Sequence, residues 1–70
     1  MIEYQLNKPQ HVHLELYDVL GRKVLTLDEG FRTADIHHVR VNTVHLATGK
    51  YFYRLQSGPD VQIRQLTIIK

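Results

Sequence analysis

The 70-residue sequence predicts an all-β fold: a small antiparallel β-sandwich of about six to seven short strands. Three observations point to it. Apolar residues recur at every second position through most of the chain, turn formers interrupt that alternation at fairly regular intervals, and no stretch carries the apolar period of a helix.

Ile2 to Leu6 reads as a first short strand, closed by the turn formers Asn7, Lys8 and Pro9. In the next segment Val12, Leu14 and Leu16 share one face while His11, His13 and Glu15 share the other, the pattern of a half-buried strand. Asp18-Val19-Leu20-Gly21 is a tight connection in which Gly21 supplies the positive φ, and Arg22 to Leu27 forms the third strand. From Asp28 to Asp35 the apolar pattern lapses, and Gly30 suggests a loop across the end of the fold.

Alternation resumes at Ile36 to Val41, with His37, Val39 and Val41 on one side and His38 and Arg40 on the other. Asn42 to Gly49 is a second irregular crossing, anchored by Leu46. Tyr51, Tyr53 and Leu55 then line one face of a strand whose other face carries Phe52, Arg54 and Gln56, and the turn Ser57-Gly58-Pro59-Asp60 ends it. In the last strand the apolar phase passes from Val61 and Ile63 to Leu66 and Ile68, which predicts a bulge near Arg64 or Gln65.

Composition narrows the function classes. Residues 1–70 have the size of one domain, and the absence of cysteine excludes thiol catalysis and disulfide staples while leaving the compartment open. The formal charge of +2 is mild and the nine Lys and Arg are dispersed, so nucleic acid is not an expected partner. No apolar run is long enough for a membrane-spanning helix.

Candidate sites are weighed on the same alternation. His11 and His13 share a face, but the adjacent His37 and His38 point to opposite faces, so no metal site is expected. Four of the seven acids fall in turns and no nucleophile–base–acid set is arranged for catalysis, so neither enzymatic activity nor a cofactor is expected. Tyr17, Tyr51, Phe52 and Tyr53 could form a sugar platform, although Tyr51 and Tyr53 share a face with Leu55 and are better placed for the core. Phe52 and Arg54 lie on the opposite face and are the candidate docking residues, joined by Arg64 and Lys70 as basic contacts for an acidic partner surface. Exposed first or last strands would offer unpaired backbone groups to another chain, so a homodimer through edge strands is a further expectation.

Two segments carry a family resemblance: Tyr17-Asp18-Val19-Leu20-Gly21-Arg22-Lys23-Val24, and Leu46-Ala47-Thr48-Gly49-Lys50-Tyr51-Phe52-Tyr53-Arg54-Leu55, followed by a strand ending on Lys70. In order and spacing they resemble the C-terminal sorting domain of type IX secretion cargo, an Ig-like β-sandwich of proteins exported by Bacteroidetes and their relatives. The resemblance implies a non-catalytic signal for secretion and cell-surface attachment, read by the outer-membrane translocon after passage through the periplasm and processed by a sortase-like enzyme. It makes Gly21 the turn glycine of the central motif, Gly49 and Tyr51 the Gly and Tyr of the penultimate-strand motif, and Lys70 the terminal Lys. The Asn-Pro-rich lead-in usual in that family does not precede Ile2, which suggests a piece excised from a larger secreted protein. The alternative is a structural or carbohydrate-binding Ig-like accessory module of a secreted or flagellar protein.

Overall fold

A computed structural model describes residues 2–70. Six strands follow in order: β1 (Ile2–Gln5), β2 (Gln10–Asp18), β3 (Lys23–Arg32), β4 (Ile36–Val39), β5 (Gly49–Ser57) and β6 (Asp60–Ile68). One sheet has the order β3-β2-β5-β6 and the other is the pair β1-β4, with every neighbouring pair antiparallel. The two-stranded sheet packs against one face of the four-stranded sheet, here called the inner face. This is the small sandwich that the alternation predicts.

The hairpins β2–β3 and β5–β6 bury little alone. Their joint face closes through the pairing of β2 with β5, and β2 becomes one of the two interior strands. Its inner residues Leu14 and Leu16 are fully buried. Around Leu14 gather Ile2, Tyr4, Leu6, Val12, Val39 and Leu55, so both sheets contribute to one cluster. Leu16, Tyr51 and Ile68 form a second cluster, against which Leu46 of the crossing packs as the sequence suggests. Each fully buried side chain of this size contributes roughly 1.5–3 kcal/mol.

Two expectations are corrected. The segment from Asp28 is not a loop, because β3 continues to Arg32 and stays paired with β2 as far as Gln10. Its apolar pattern lapses because the inner face changes chemistry there. The Tyr4 hydroxyl donates to Asp28 Oδ2 at 2.7 Å, and Arg32 Nε donates to the same oxygen at 3.3 Å, which ties β1 to β3 through a polar clasp. Hydrogen bonding from Arg32 holds the Asp28 carboxyl below its ordinary range despite desolvation. Burial, reinforced by Asp28, pushes the Tyr4 hydroxyl up to about 12.

The bulge expected near Arg64 or Gln65 is also absent, since β6 pairs with β5 without a break from Asp60 to Ile68. The apolar residues change faces because cover changes along the strand. Val61 and Ile63 lie on the outer face at 46% and 63% exposure, whereas Leu66 and Ile68 reach the inner core. Bulges occur instead between β2 and β3, at Leu14/Glu15 and Leu16/Tyr17. The residues skipped on β3 are Leu27 and Val24, and both pack against the core. At the β5–β6 turn Gly58 has φ 58°, and a Cβ there would stand 2.8 Å from Gln10 Oε1. The left-handed backbone favours glycine there, while the Gln10 side chain could swing aside from an added Cβ.

Candidate functional site

The two sequence motifs, far apart in the chain, meet at one end of the sandwich. The register of β2 against β5 sets Tyr17 opposite Phe52 and Asp18 opposite Tyr51. The chain end joins them, because Ile68 lies opposite Gly49 and the Lys70 backbone N–H donates to Thr48 Oγ1 at 3.2 Å.

The β2–β3 turn at this end is organised by one carboxylate. Asp18 Oδ1 accepts the backbone N–H groups of Leu20 and Arg22 at 2.9 and 3.0 Å, and Oδ2 accepts Arg22 Nε at 2.9 Å. The backbone bond from Arg22 is the main reason the Asp18 carboxyl lies below its ordinary range. Gly21 completes the turn with φ 82°. The result holds two apolar side chains in solvent, Val19 and Leu20, at 63% and 74% exposure. The sequence motif marks the turn, but the organising role of Asp18 and the display of Val19 and Leu20 emerge only in three dimensions. An Asp two and four residues ahead of the amides it caps was the available signal.

Hollows flank this turn on both sides. On the outer face one of about 430 Å³ is lined by Tyr17, Asp18, Val19, Phe52, Arg54 and Ile63. A smaller one, about 250 Å³, lies between the turn and residues 48–51.

The outer face below the first hollow is a charged cluster centred on Glu15. Its carboxylate accepts the Tyr17 hydroxyl at 3.0 Å and pairs with Lys23 Nζ at 3.2 Å, and His13 Nε2 lies 3.3 Å away. Desolvation raises the Glu15 carboxyl, yet hydrogen bonds from Tyr17 and Lys23 outweigh it and leave the group below its ordinary range. Desolvation and the bond to Glu15 together raise the Tyr17 hydroxyl. Arg54 lies across the ladder from Glu15, but among the described residues no carboxylate pairs with it. Glu15 is already committed, so the Arg54 guanidinium remains available beside the hollow.

Of the residues singled out in the sequence, Phe52 and Arg54 come together on the outer face, both half-buried and both lining the larger hollow. Arg64 falls on the inner side, opposite Tyr53, in a separate cleft of about 530 Å³ that also contains Tyr4, Leu14 and Gln62. Lys70 folds back at the shared end, and its Nζ donates to the Val44 carbonyl at 3.1 Å. Gly49 opens β5 and no neighbouring atom lies within 4 Å of a Cβ placed there. Tyr51 is buried, and its hydroxyl donates to the Ala47 carbonyl at 2.8 Å, which ties the crossing to β5.

The aromatic residues divide between faces, with Tyr51 and Tyr53 inside and Tyr17 and Phe52 outside, so the four rings do not form one platform. The histidines are also dispersed. His11 meets Phe31 edge-on at 5.6 Å, His37 lies 5.3 Å from the Tyr4 ring, and His38 bonds Glu3 at 2.9 Å. Among the described residues no group of three or more His, Asp or Glu is placed to hold a metal ion.

Compared with known families, residues 1–70 match the one described as secretion system C-terminal sorting domain. Among curated proteins and among solved structures nothing matches.

Proposed function

The chain belongs to the family of secretion system C-terminal sorting domains, and from that premise we propose that the secretion machinery reads it at the motif end of the sandwich. The domain is a sorting signal of type IX secretion, it engages that machinery, and it belongs to a secreted or cell-surface protein.

The observation that carries the proposal is the convergence of Tyr17 with Phe52, Asp18 with Tyr51, and residues 68–70 with the start of β5. A signal shared by many cargoes has to be read from features of the signal itself, and here its motif residues build one surface. Phe52, Val19 and Ile63 offer apolar contact around the larger hollow, and Arg54 supplies a cation with no internal partner. The surface therefore fits an acidic, partly apolar patch on the outer-membrane translocon, with charge guiding encounter and the apolar hollow holding the complex. Gly21, Gly49 and Tyr51 serve by shaping the turn and the strand that present this surface. Lys70 closes the end by bonding the crossing, and Arg64 acts elsewhere, on the inner side.

The same reading includes a periplasmic stage before the outer membrane, processing by a sortase-like enzyme, and no catalysis by the domain itself. It treats residues 1–70 as one folding unit excised from a larger exported protein. It also includes self-association through an edge strand, supported by two long strands at the borders of the four-stranded sheet.

The test is to fuse the chain to a periplasmic reporter in a type IX-competent host. The reporter is expected outside the cell, and a fusion in which Val19 and Leu20 are both replaced by Ser is expected to accumulate in the periplasm while remaining folded. Normal export of that variant would reject the motif end as the surface read.

A further inference from the structure

We propose that β6 is a docking edge for a second copy of this chain, through an antiparallel β6–β6 pair in which Asp60 of each copy faces Arg64 of the other. The proposal rests on the self-association stated above and assigns the strand, the register and the contacts.

The two borders of the four-stranded sheet differ. β3 is guarded in the ways sheets avoid edge-to-edge pairing: two bulges distort it, and Lys23, Asp28, Glu29 and Arg32 load it with charge. β6 has an unbroken ladder over nine residues with no proline and no lysine, and Asp60 and Arg64 are its two charges. Every residue from Asp60 to Gln65 is exposed. A strand of this kind presents a regular row of unpaired N–H and C=O groups.

The hairpin turn decides which groups those are. Ser57 and Asp60 flank a two-residue turn and therefore exchange hydrogen bonds, and the alternation of an antiparallel ladder then makes Gln62, Arg64, Leu66 and Ile68 the positions bonded to β5. Val61, Ile63, Gln65 and Thr67 direct their backbone groups outward.

A two-fold antiparallel pair joins these outward positions to one another. Full overlap sets Arg64 against its own copy, and like charges directly opposite oppose pairing. In the register that brings Asp60 opposite Arg64, Val61 meets Ile63 and exchanges main-chain bonds with it, and Gln62 meets its own copy. Both charges are then matched, and they are available, since among the described residues neither Asp60 nor Arg64 forms an ion pair. On the outer face the exposed Val61 and Ile63 become cross-strand neighbours.

Sedimentation of the whole chain over a range of concentrations tests this. The wild type is expected to show a monomer–dimer equilibrium. Asp60→Lys and Arg64→Glu are each expected to weaken the dimer by about tenfold, because every charge appears twice in a two-fold interface, and the double variant is expected to recover near-wild-type association. Ile63→Pro removes an outward N–H without taking a bond from β5, and is expected to give monomer with unchanged far-UV circular dichroism. Dimers indifferent to the charge reversals, or a double variant that fails to recover, would overturn the β6 register while leaving self-association standing. A wild type that is monomeric at every concentration would overturn both.

Discussion

Along β5, neighbouring residues belong to two surfaces with different work. Tyr51 and Leu55 face inward at 7% and 4% exposure and join both halves of the core, and Tyr51 also ties down the crossing. Phe52 and Arg54 face outward, half-buried, where no second sheet covers them. A sandwich with four strands on one side and two on the other needs only the inner face to hold together. The outer face is therefore free to be specified by a partner. The separation predicts that inner substitutions abolish sorting by unfolding the domain, whereas outer substitutions abolish sorting with the fold intact.

The largest effect on stability is expected at the centre of the inner face. Leu14→Ala leaves a cavity beneath both sheets and should cost about 2–5 kcal/mol, read as a lower denaturation midpoint in urea. In a domain of this size that is enough to populate the unfolded state, and export of a fused reporter should fall with it.

A smaller loss is expected at the inner polar clasp. Asp28→Asn weakens the charged bonds from Arg32 and the bond from Tyr4, at about 1–3 kcal/mol near neutral pH. The pH dependence follows from the direction of the shifts. Asp28 is held below its ordinary value, so its contribution is present above about 4 and is lost as the pH falls through the lowered folded value. Tyr4 is raised, so its contribution is present below about 10 and is lost as the pH climbs through about 12. Denaturation midpoints of wild type and Asp28→Asn should therefore converge in acid. A gap that persists unchanged at low pH would break the assignment.

At the turn, Gly21→Ala forces a side chain into a positive-φ position with open space around it, so the cost is conformational alone, about 1–2 kcal/mol. Thermal denaturation should register it as a modest drop. Because the same turn displays Val19 and Leu20, this variant should also reduce export by more than its stability loss explains, which would sharpen the division between holding the fold and presenting the surface.

The division was legible in the sequence wherever alternation met uniform cover. Tyr51, Tyr53 and Leu55 against Phe52 and Arg54, and Val12, Leu14 and Leu16 against His11, His13 and Glu15, follow from a period of two. It failed where cover changes along a strand. Val61 and Ile63 suggested a bulge because apolar residues were assumed to face inward, yet the first half of β6 has nothing above it. The lapse of the apolar pattern from Asp28 and the presence of Gly30 suggest a loop, yet Asp28 binds Tyr4 across the sheets and Arg32 holds Asp28 in place. The functional end was legible only as two motifs. Their meeting depends on the register of β2 against β5, which links residues more than thirty positions apart and has no local signature.

The most direct test of an outer surface that is read and an inner surface that folds is the paired measurement of stability and export for Arg54→Gln. The charge lies at the hollow with no internal acid to satisfy, and glutamine keeps a polar side chain without setting a second carboxylate opposite Glu15, so the substitution should leave the urea midpoint within about 0.5 kcal/mol of wild type, and a fused reporter should remain in the periplasm. Export at the wild-type level with the fold intact would contradict the account.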